Sequence, residues 1–326
     1  MLSRIAKAID LVLARIQPFP ASGLTILGFH GLWPDLGVAK AEATDPYQPF
    51  TLADLDQVIG ILRATGATFV CGRDLDRPPA GPAVWLTFDD GYANNLDALP
   101  ILRRHGVPAT FFITSGNINS GDAYWWDVLY REGRKLGTPA AALATRREAL
   151  KALPPDAIRA TLIAHYGPQA FHPTGAQDRP MTPAELAAFA KDPLVEIGNH
   201  TLSHAILPVL PATEQRAEIH RCQQELTALT ERVPQVIAYP NGGVTAETLH
   251  IAQSCGLNLG VTCLPHRNAA SELQDPLGRL TLGRFMGLRH GALTRETALA
   301  VAPRSLGQST ANQTRQRLMA SAGPLT

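Results

Sequence analysis

Two periods of apolar positions alternate along this chain. Short apolar runs recur at residues 24–30, 68–71, 84–88, 109–114, 194–198, 236–239, 259–263 and 280–285. Runs this short, apolar almost throughout and bounded by turn residues, predict strands buried on both faces. Between them lie longer stretches with helical spacing. Residues 50–66 predict an amphipathic helix, with Thr51 as N-cap, Asp54 three residues on and Gly66 as the stop. Residues 95–105 predict a helix ending at Gly106, and Thr182-Pro183 with Glu185 opens another. Residues 213–230 and 245–255 predict two more, the second stopped by Gly256. About seven alternations of short strand and helix point to a barrel-type α/β fold.

Two regions depart from that rhythm. Residues 117–182 hold Gly-, Pro- and Ala-rich pieces, helical stretches such as 139–153, and charges clustered at Arg146-Arg147-Glu148. They predict a mainly helical insertion between two barrel strands, placed to shape or cover a site. Tyr124-Trp125-Trp126 stands at its start. Aromatic planes stack on sugar rings and Trp125 is the candidate for such a contact, although paired tryptophans equally fit a packed core. The second region is residues 2–16, where Leu2, Ile5, Ile9, Val12 and Ile16 form one helical stripe with Arg4, Lys7 and Arg15 off it. A helix packed on the barrel exterior satisfies this stripe, and so does one lying on a membrane surface.

Composition narrows the picture. With 326 residues, 45% hydrophobic and 17% charged, the chain has the make-up of an ordinary globular protein. A net charge of +1 gives no basic field for nucleic acid. Cys71, Cys222, Cys255 and Cys263 are scattered without Cys-x2-Cys spacing, which predicts free thiols in a reducing compartment. No apolar run reaches the length of a transmembrane helix. Asp10 and Arg15 interrupt what would be the apolar part of a signal peptide. The expected location is cytoplasmic, with residues 2–16 as a candidate peripheral membrane contact.

The chemistry sits at strand ends. The run Val84-Trp85-Leu86-Thr87-Phe88 stops at Asp89, Asp90 and Gly91. Two adjacent carboxylates repel, so a cation is needed to keep both ionised. A metal held by one, with the other left as a base, satisfies that need. The run at 194–198 leads to His200 and His204. That spacing puts two imidazoles on one face if the segment is helical. Asp90, His200 and His204 make a three-ligand set with an open position, suited to zinc first, and also to cobalt, nickel or iron. His30 ends the strand at 24–30, beside Gly31.

Thr87-Phe88-Asp89-Asp90-Gly91 and His200-Thr201-Leu202-Ser203-His204 together resemble the paired motifs of the polysaccharide deacetylase family (carbohydrate esterase family 4, the NodB homology domain). Pro108-Ala109-Thr110-Phe111-Phe112-Ile113-Thr114 is similar to the strand that follows the first motif there. The resemblance covers roughly residues 24–116 and 190–290. It implies a distorted (β/α) barrel of seven strands over residues 24–295, with the insertion at 117–182, an N-terminal helix in 1–20 and a tail over 296–326. It implies a metal-dependent hydrolase of carbon–nitrogen bonds other than peptide bonds, removing N-acetyl groups from a polysaccharide or lipid-linked glycan.

Residue by residue, the resemblance makes Asp89 the base and Asp90, His200 and His204 the metal ligands. One branch of the family carries a Tyr-His or Phe-His pair on its first strand, similar to Phe29-His30, which makes His30 the general acid. His290, in Leu288-Arg289-His290, superficially fits the late Leu-x-His of other members. A backbone N–H in the turn after Pro240 would stabilise the oxyanion. Asn241 stands where the family usually has a tyrosine, and Tyr239, Asn241 and Trp125 form the expected substrate contacts. Ala238 stands where many members have an arginine that orients the base. Arg284 is the candidate replacement, and Arg279 a weaker one. Two other readings remain: hydrolysis of another linear or cyclic amide, and a catalytically silent glycan-binding protein. The missing arginine motivates the latter, while the retained ligands and base argue against it.

Overall fold

The structure is a computed structural model and describes residues 22–41, 50–288, 313–314 and 317–318. The expected helix at 2–16, His290 and all but four positions of the 296–326 tail lie outside the described residues. Eight strands occur among them: β1 (Gly23–Phe29), β2 (Thr68–Val70), β3 (Pro82–Phe88), β4 (Ala109–Ile113), β5 (Val195–Asn199), β6 (Val236–Ala238), β7 (Leu259–Val261) and β8 (Phe285–Met286). Every pairing between them is parallel, in the order β7-β6-β5-β4-β3-β1-β8, with β2 on β3 off this path. Seven parallel strands thus form the curled sheet of a NodB-like (β/α) barrel.

The sheet turns about β3. Its whole length pairs with β1, from Gly23↔Pro82 to Phe29↔Phe88. The other edge is shared, because β2 pairs with residues 83–85 and β4 with residues 86–88. Residues 280–285, expected as one strand, serve two neighbours instead. Leu282 bridges Val261 of β7, and only Phe285 and Met286 pair with β1. The segment therefore joins the two ends of the seven-strand path. It is too short to run as a strand along both.

Side chains alternate across the barrel wall. Leu24, Ile26, Trp85, Phe112, Ala238 and Val261 meet in one buried cluster. They come from strands around the whole path, so this cluster fills the interior. Leu27, Phe29, Val84, Leu86, Phe88 and Phe111 face outward to a second cluster that includes Leu55, Val58 and Leu62 of the helix Leu52–Arg63. Thr51 and Asp54 form the expected capping box of that helix. No helix among the described residues is long and apolar enough to cross a membrane.

Between β4 and β5, the insertion builds the helices Trp125–Lys135, Ala140–Leu150 and Pro155–Tyr166 around its own buried cluster, with Val128, Leu143, Leu162 and Phe171. Arg131 and Asp178 pair at its centre, both about 1% exposed. Arg131 also donates to the carbonyls of Ala170 and His172, while Asp178 accepts from the N–H groups of Thr174 and Gly175. Removing one partner leaves the other charge buried and uncompensated, at a cost of about 3–5 kcal/mol. An Arg131→Ala protein is therefore expected to lose the insertion's protection first, seen as lower melting temperature and faster hydrogen exchange across 123–180.

Candidate metal centre and active site

The β1–β3 ladder runs one residue past β3, since the Asp89 N–H donates to the Phe29 carbonyl (2.9 Å). Trp85, Thr87 and Asp89 then share the inward face by the two-residue period of a strand. At Asp90 the chain leaves the extended form, with φ of 79° there and 92° at Gly91. A side chain at 91 would also press on Ile113, 3.0 Å from the added carbon. This turn separates the two carboxylates. The Asp90 carbonyl is held by the Thr114 N–H (3.0 Å) and the Tyr124 hydroxyl (2.8 Å).

Arg284 grips Asp89 with two parallel bonds, Nη1 to Oδ1 at 2.6 Å and Nη2 to Oδ2 at 2.8 Å. It also donates to the Thr87 hydroxyl (3.2 Å) and is fully buried. Burial alone would raise the Asp89 pKa, but the charge of Arg284, helped by His200, overrides it and holds the carboxyl at about 2. The guanidinium thus arrives from the segment before β8. Arg279 instead pairs with Asp76 at 2.7 Å. In an Arg284→Met protein only His200 and His30 still oppose the effect of burial on Asp89. The pKa of Asp89 is then expected to rise by about 1–3 pH units, read as a further acid step in the variant's pH–rate profile that the wild type shows only at lower pH.

The two histidines follow β5 in a loop that is not helical, contrary to the conditional expectation. Thr201 and His204 take left-handed φ values of 64° and 55°, which bring the rings to 4.8 Å and nearly perpendicular. The helix Ala212–Thr230 secures this loop. Its Glu218 carboxylate accepts from the Ser203 N–H (2.9 Å) and hydroxyl (2.6 Å), and the Glu218 carbonyl accepts from the Leu202 N–H. Nδ1 of His200 lies 2.7 Å from the Ala238 carbonyl, which can only accept. That ring is therefore protonated at Nδ1, which leaves Nε2 as the nitrogen that faces the centre.

Nε2 of His200 and of His204 lie 3.5 and 3.4 Å from Asp90 Oδ1. All three ligand atoms fall within 4.8 Å of one another. Metal bonds of about 2.1 Å in a tetrahedron put ligand atoms about 3.4 Å apart, so the spacing fits a zinc-sized ion. Asp90 Oδ1 is buried with no hydrogen-bond partner, as a ligand oxygen would be. Burial, then the neighbouring His200, push the His204 pKa down to about 3, which keeps its nitrogen unprotonated. Burial alone would also lower His200, but Asp89 and Asp90 outweigh it and raise it. The same surplus of negative charge favours a cation. The residues present fit a divalent metal.

A cavity of about 310 Å³ opens over this centre, lined by Asp89, Asp90, His200 and His204 together with His30, Asn241 and Trp125. His30 is half-buried at the end of β1, its carbonyl held by Asn95 (2.9 Å). Asn241 is left-handed, φ 54°, a conformation asparagine tolerates. Tyr239 does not reach the cavity. It is fully buried in the cluster beneath the helix Ala246–Ser254, against Gly260.

Sequence reasoning missed the aromatic backing of the centre. The Trp126 ring packs edge-on against His204, centroids 4.6 Å apart, and stacks on Tyr124 at 5.1 Å. Its indole N–H donates to the Tyr92 hydroxyl (2.7 Å), which donates to Asp127 (2.6 Å). Nothing in the local pattern distinguishes Trp126 from Trp125, since the choice depends on how the helix Trp125–Lys135 docks. Glu218 had no signal either, lying in an ordinary helix.

The polysaccharide deacetylase family model matches residues 76–260. Among curated proteins, YxkH of Bacillus subtilis (strain 168), named among the polysaccharide deacetylases, is 24% identical over 191 residues. These are 58% of this chain and 48% of YxkH, so the chain spans about half the length of that relative. The Streptococcus pyogenes deacetylase PplD, solved in complex with acetate, superposes with a TM-score of 0.57 at 19% identity, over 87% of this chain and 100% of PplD. BC0361, a polysaccharide deacetylase from Bacillus cereus, gives 0.58 at 14% identity over 86% and 69%. IcaB from Ammonifex degensii gives 0.56 at 17% over 88% and 100%. At such identities these superpositions speak for the fold. The family match spans more than half of the sequence and includes both the Asp89-Asp90 and the His200–His204 segments, and the chain belongs to the polysaccharide deacetylase family.

Proposed function

We propose that this protein is a metal-dependent hydrolase that removes N-acetyl groups from sugars of a polysaccharide or lipid-linked glycan. The observation that carries the reading is the division of labour between adjacent carboxylates. Asp89 is held by Arg284, whereas Asp90 faces His200 and His204 with an unpartnered oxygen, and both border one cavity. Asp90, His200 and His204 would hold a divalent ion, with zinc preferred and cobalt, nickel or iron also suited to two imidazoles and a carboxylate. Such an ion acidifies water toward pKa ~7 and polarises the acetyl carbonyl.

The chain's own groups supply the rest. Asp89 takes the proton of the attacking water, and Arg284 fixes the direction of its oxygens. Asn241 lines the cavity, and its backbone N–H would stabilise the developing oxyanion. His30, across the cavity, protonates the departing nitrogen, because an amine leaves poorly without a proton. Trp125 offers an apolar face to the sugar ring. The cytoplasmic placement belongs to this proposal and is supported by four unpaired cysteines.

The test is acetate release from a panel of N-acetylated oligosaccharides by chelated protein, with and without added zinc or cobalt. Metal-dependent acetate is the expected result. A protein that binds metal stoichiometrically yet releases no acetate from any glycan would redirect the reading to another amide. One that binds glycans but neither metal nor water-driven turnover would be a binding protein.

A further inference from the structure

His30, the proposed proton donor, stands just past the end of β1, and its imidazole makes no hydrogen bond among the described residues. The ring of His200, by contrast, is fixed by the Ala238 carbonyl. The aim of His30 is therefore set by the backbone that carries it. A general acid must come within about 2.6–3.2 Å of the atom it protonates, and a misplacement of about 1 Å can cost about 10²-fold in rate. Whatever holds residues 30–32 thus bears directly on proton transfer.

Two consecutive asparagines hold them. Both lie in the 3₁₀ turn Ala93–Asp97, shortly after Asp89, Asp90 and Gly91. Asn95 Nδ2 donates to the His30 carbonyl (2.9 Å) and to Asn94 Oδ1 (3.4 Å). Asn94 Oδ1 also accepts from the Leu32 N–H (3.0 Å), while Asn94 Nδ2 donates to Gln177 Oε1 (2.6 Å) at the end of the insertion. A carbonyl only accepts and a backbone N–H only donates, so the loop itself fixes which way each amide faces. A carbon added at Gly31 would lie 3.1 Å from Asn94 Nδ2, so glycine there lets the amide lie against the chain. His30, Gly31, Asn94 and Gln177 border the catalytic cavity, whereas Asn95 is fully buried. Asn95 can act on the reaction only through what it holds.

We propose that Asn94 and Asn95 are positioning residues for His30. The turn that presents Asp89 and Asp90 then also carries the two amides that set the acid, so base, ligand and acid keep one spacing. Gln177 joins the insertion to the same clamp. This rests on the proposed deacetylase reading and adds how its proton donor is held. As the carbon–nitrogen bond breaks, the His30 imidazolium passes its proton to the departing nitrogen, and the clamp keeps the ring within reach of that atom.

The test compares two substrates on the zinc-loaded full chain. An N-acetylglucosamine tetramer has an amine that must be protonated to leave, whereas the phenolate of para-nitrophenyl acetate leaves without a proton. Asn95→Ala is expected to lower the ratio of amide to aryl-ester kcat at least tenfold, as His30→Ala does. The double variant should show no further fall, because the two residues act as one unit. A merely structural asparagine would lower both substrates alike and add its loss to that of His30→Ala, and either result overturns the proposal. Amide hydrogen exchange gives a second reading. The Leu32 N–H should exchange at least tenfold faster in Asn95→Ala, although its own acceptor on Asn94 is kept, with no change across Ala109–Ile113. Asn94→Ala, read at Trp33, repeats both comparisons if Asn95→Ala does not fold. If neither substrate turns over, the exchange decides separately: faster exchange keeps the clamp on His30 while the deacetylase reading fails, and unchanged exchange overturns both.

Discussion

An Asp90→Asn protein is expected to fold, to lose more than 100-fold in zinc affinity, and to release no acetate above background. Asparagine is the near-isosteric choice that tolerates the left-handed backbone at this position, φ 79°. The backbone carbonyl that anchors Thr114 and Tyr124 is also kept. What disappears is the negative charge that the two imidazoles face. Outer partners of metal ligands command about 10–100-fold in affinity, and a ligand itself should exceed that. Competition with a chromogenic chelator measures the loss. A melting curve gives a second reading: zinc at about 1,000 times its Kd stabilises the wild type by about 4 kcal/mol, and the variant at the same concentration gains far less. A variant with wild-type affinity would remove Asp90 from the centre.

The second large effect is expected from Asp89→Asn, which should keep its zinc and lose about 10²–10⁴-fold in kcat. The amide cannot accept the water's proton. The change also strips the fully buried Arg284 of its counter-charge, so some stability is lost, up to about 3–5 kcal/mol for a broken buried pair. Rates are therefore compared well below the variant's melting temperature, alongside bound zinc. The pH behaviour separates the roles. A group whose folded pKa is depressed contributes stability at neutral pH that is lost as pH falls through that pKa. For Asp89 that window lies from about 4 down to about 2, below the working range. The wild-type acid limb is thus not expected to report Asp89.

Much of this site was legible because its groups lie next to each other in sequence and at strand ends. Asp89 and Asp90 end β3, and the apolar run before them fixes both strand and direction. The helix caps at Thr51 and Thr182 were equally local and appear as expected. Failures came where two distant segments decide the outcome. Residues 280–285 read as a strand because they are apolar, but the closing segment of the barrel must satisfy β7 at Leu282 and β1 at Phe285. The same location is why Arg284, nearly two hundred residues from Asp89, was visible only as a candidate. The histidine spacing suggested a helix, whereas Asn199, Glu218 and the turn-forming Thr201 supply bonds that a helix would not need. Tyr239 sits beside the Asn241 turn in sequence, but its side chain packs into the core against Gly260.

The most direct measurement is acetate released per minute as chelated wild-type protein is titrated with zinc, beside Asp89→Asn under the same conditions. Activity rising linearly to one zinc per chain, with a flat line for the variant at equal occupancy, is the predicted result. Acetate release without metal, or a variant that follows the wild type, would contradict the assignment of one ion-binding and one proton-accepting carboxylate to this site.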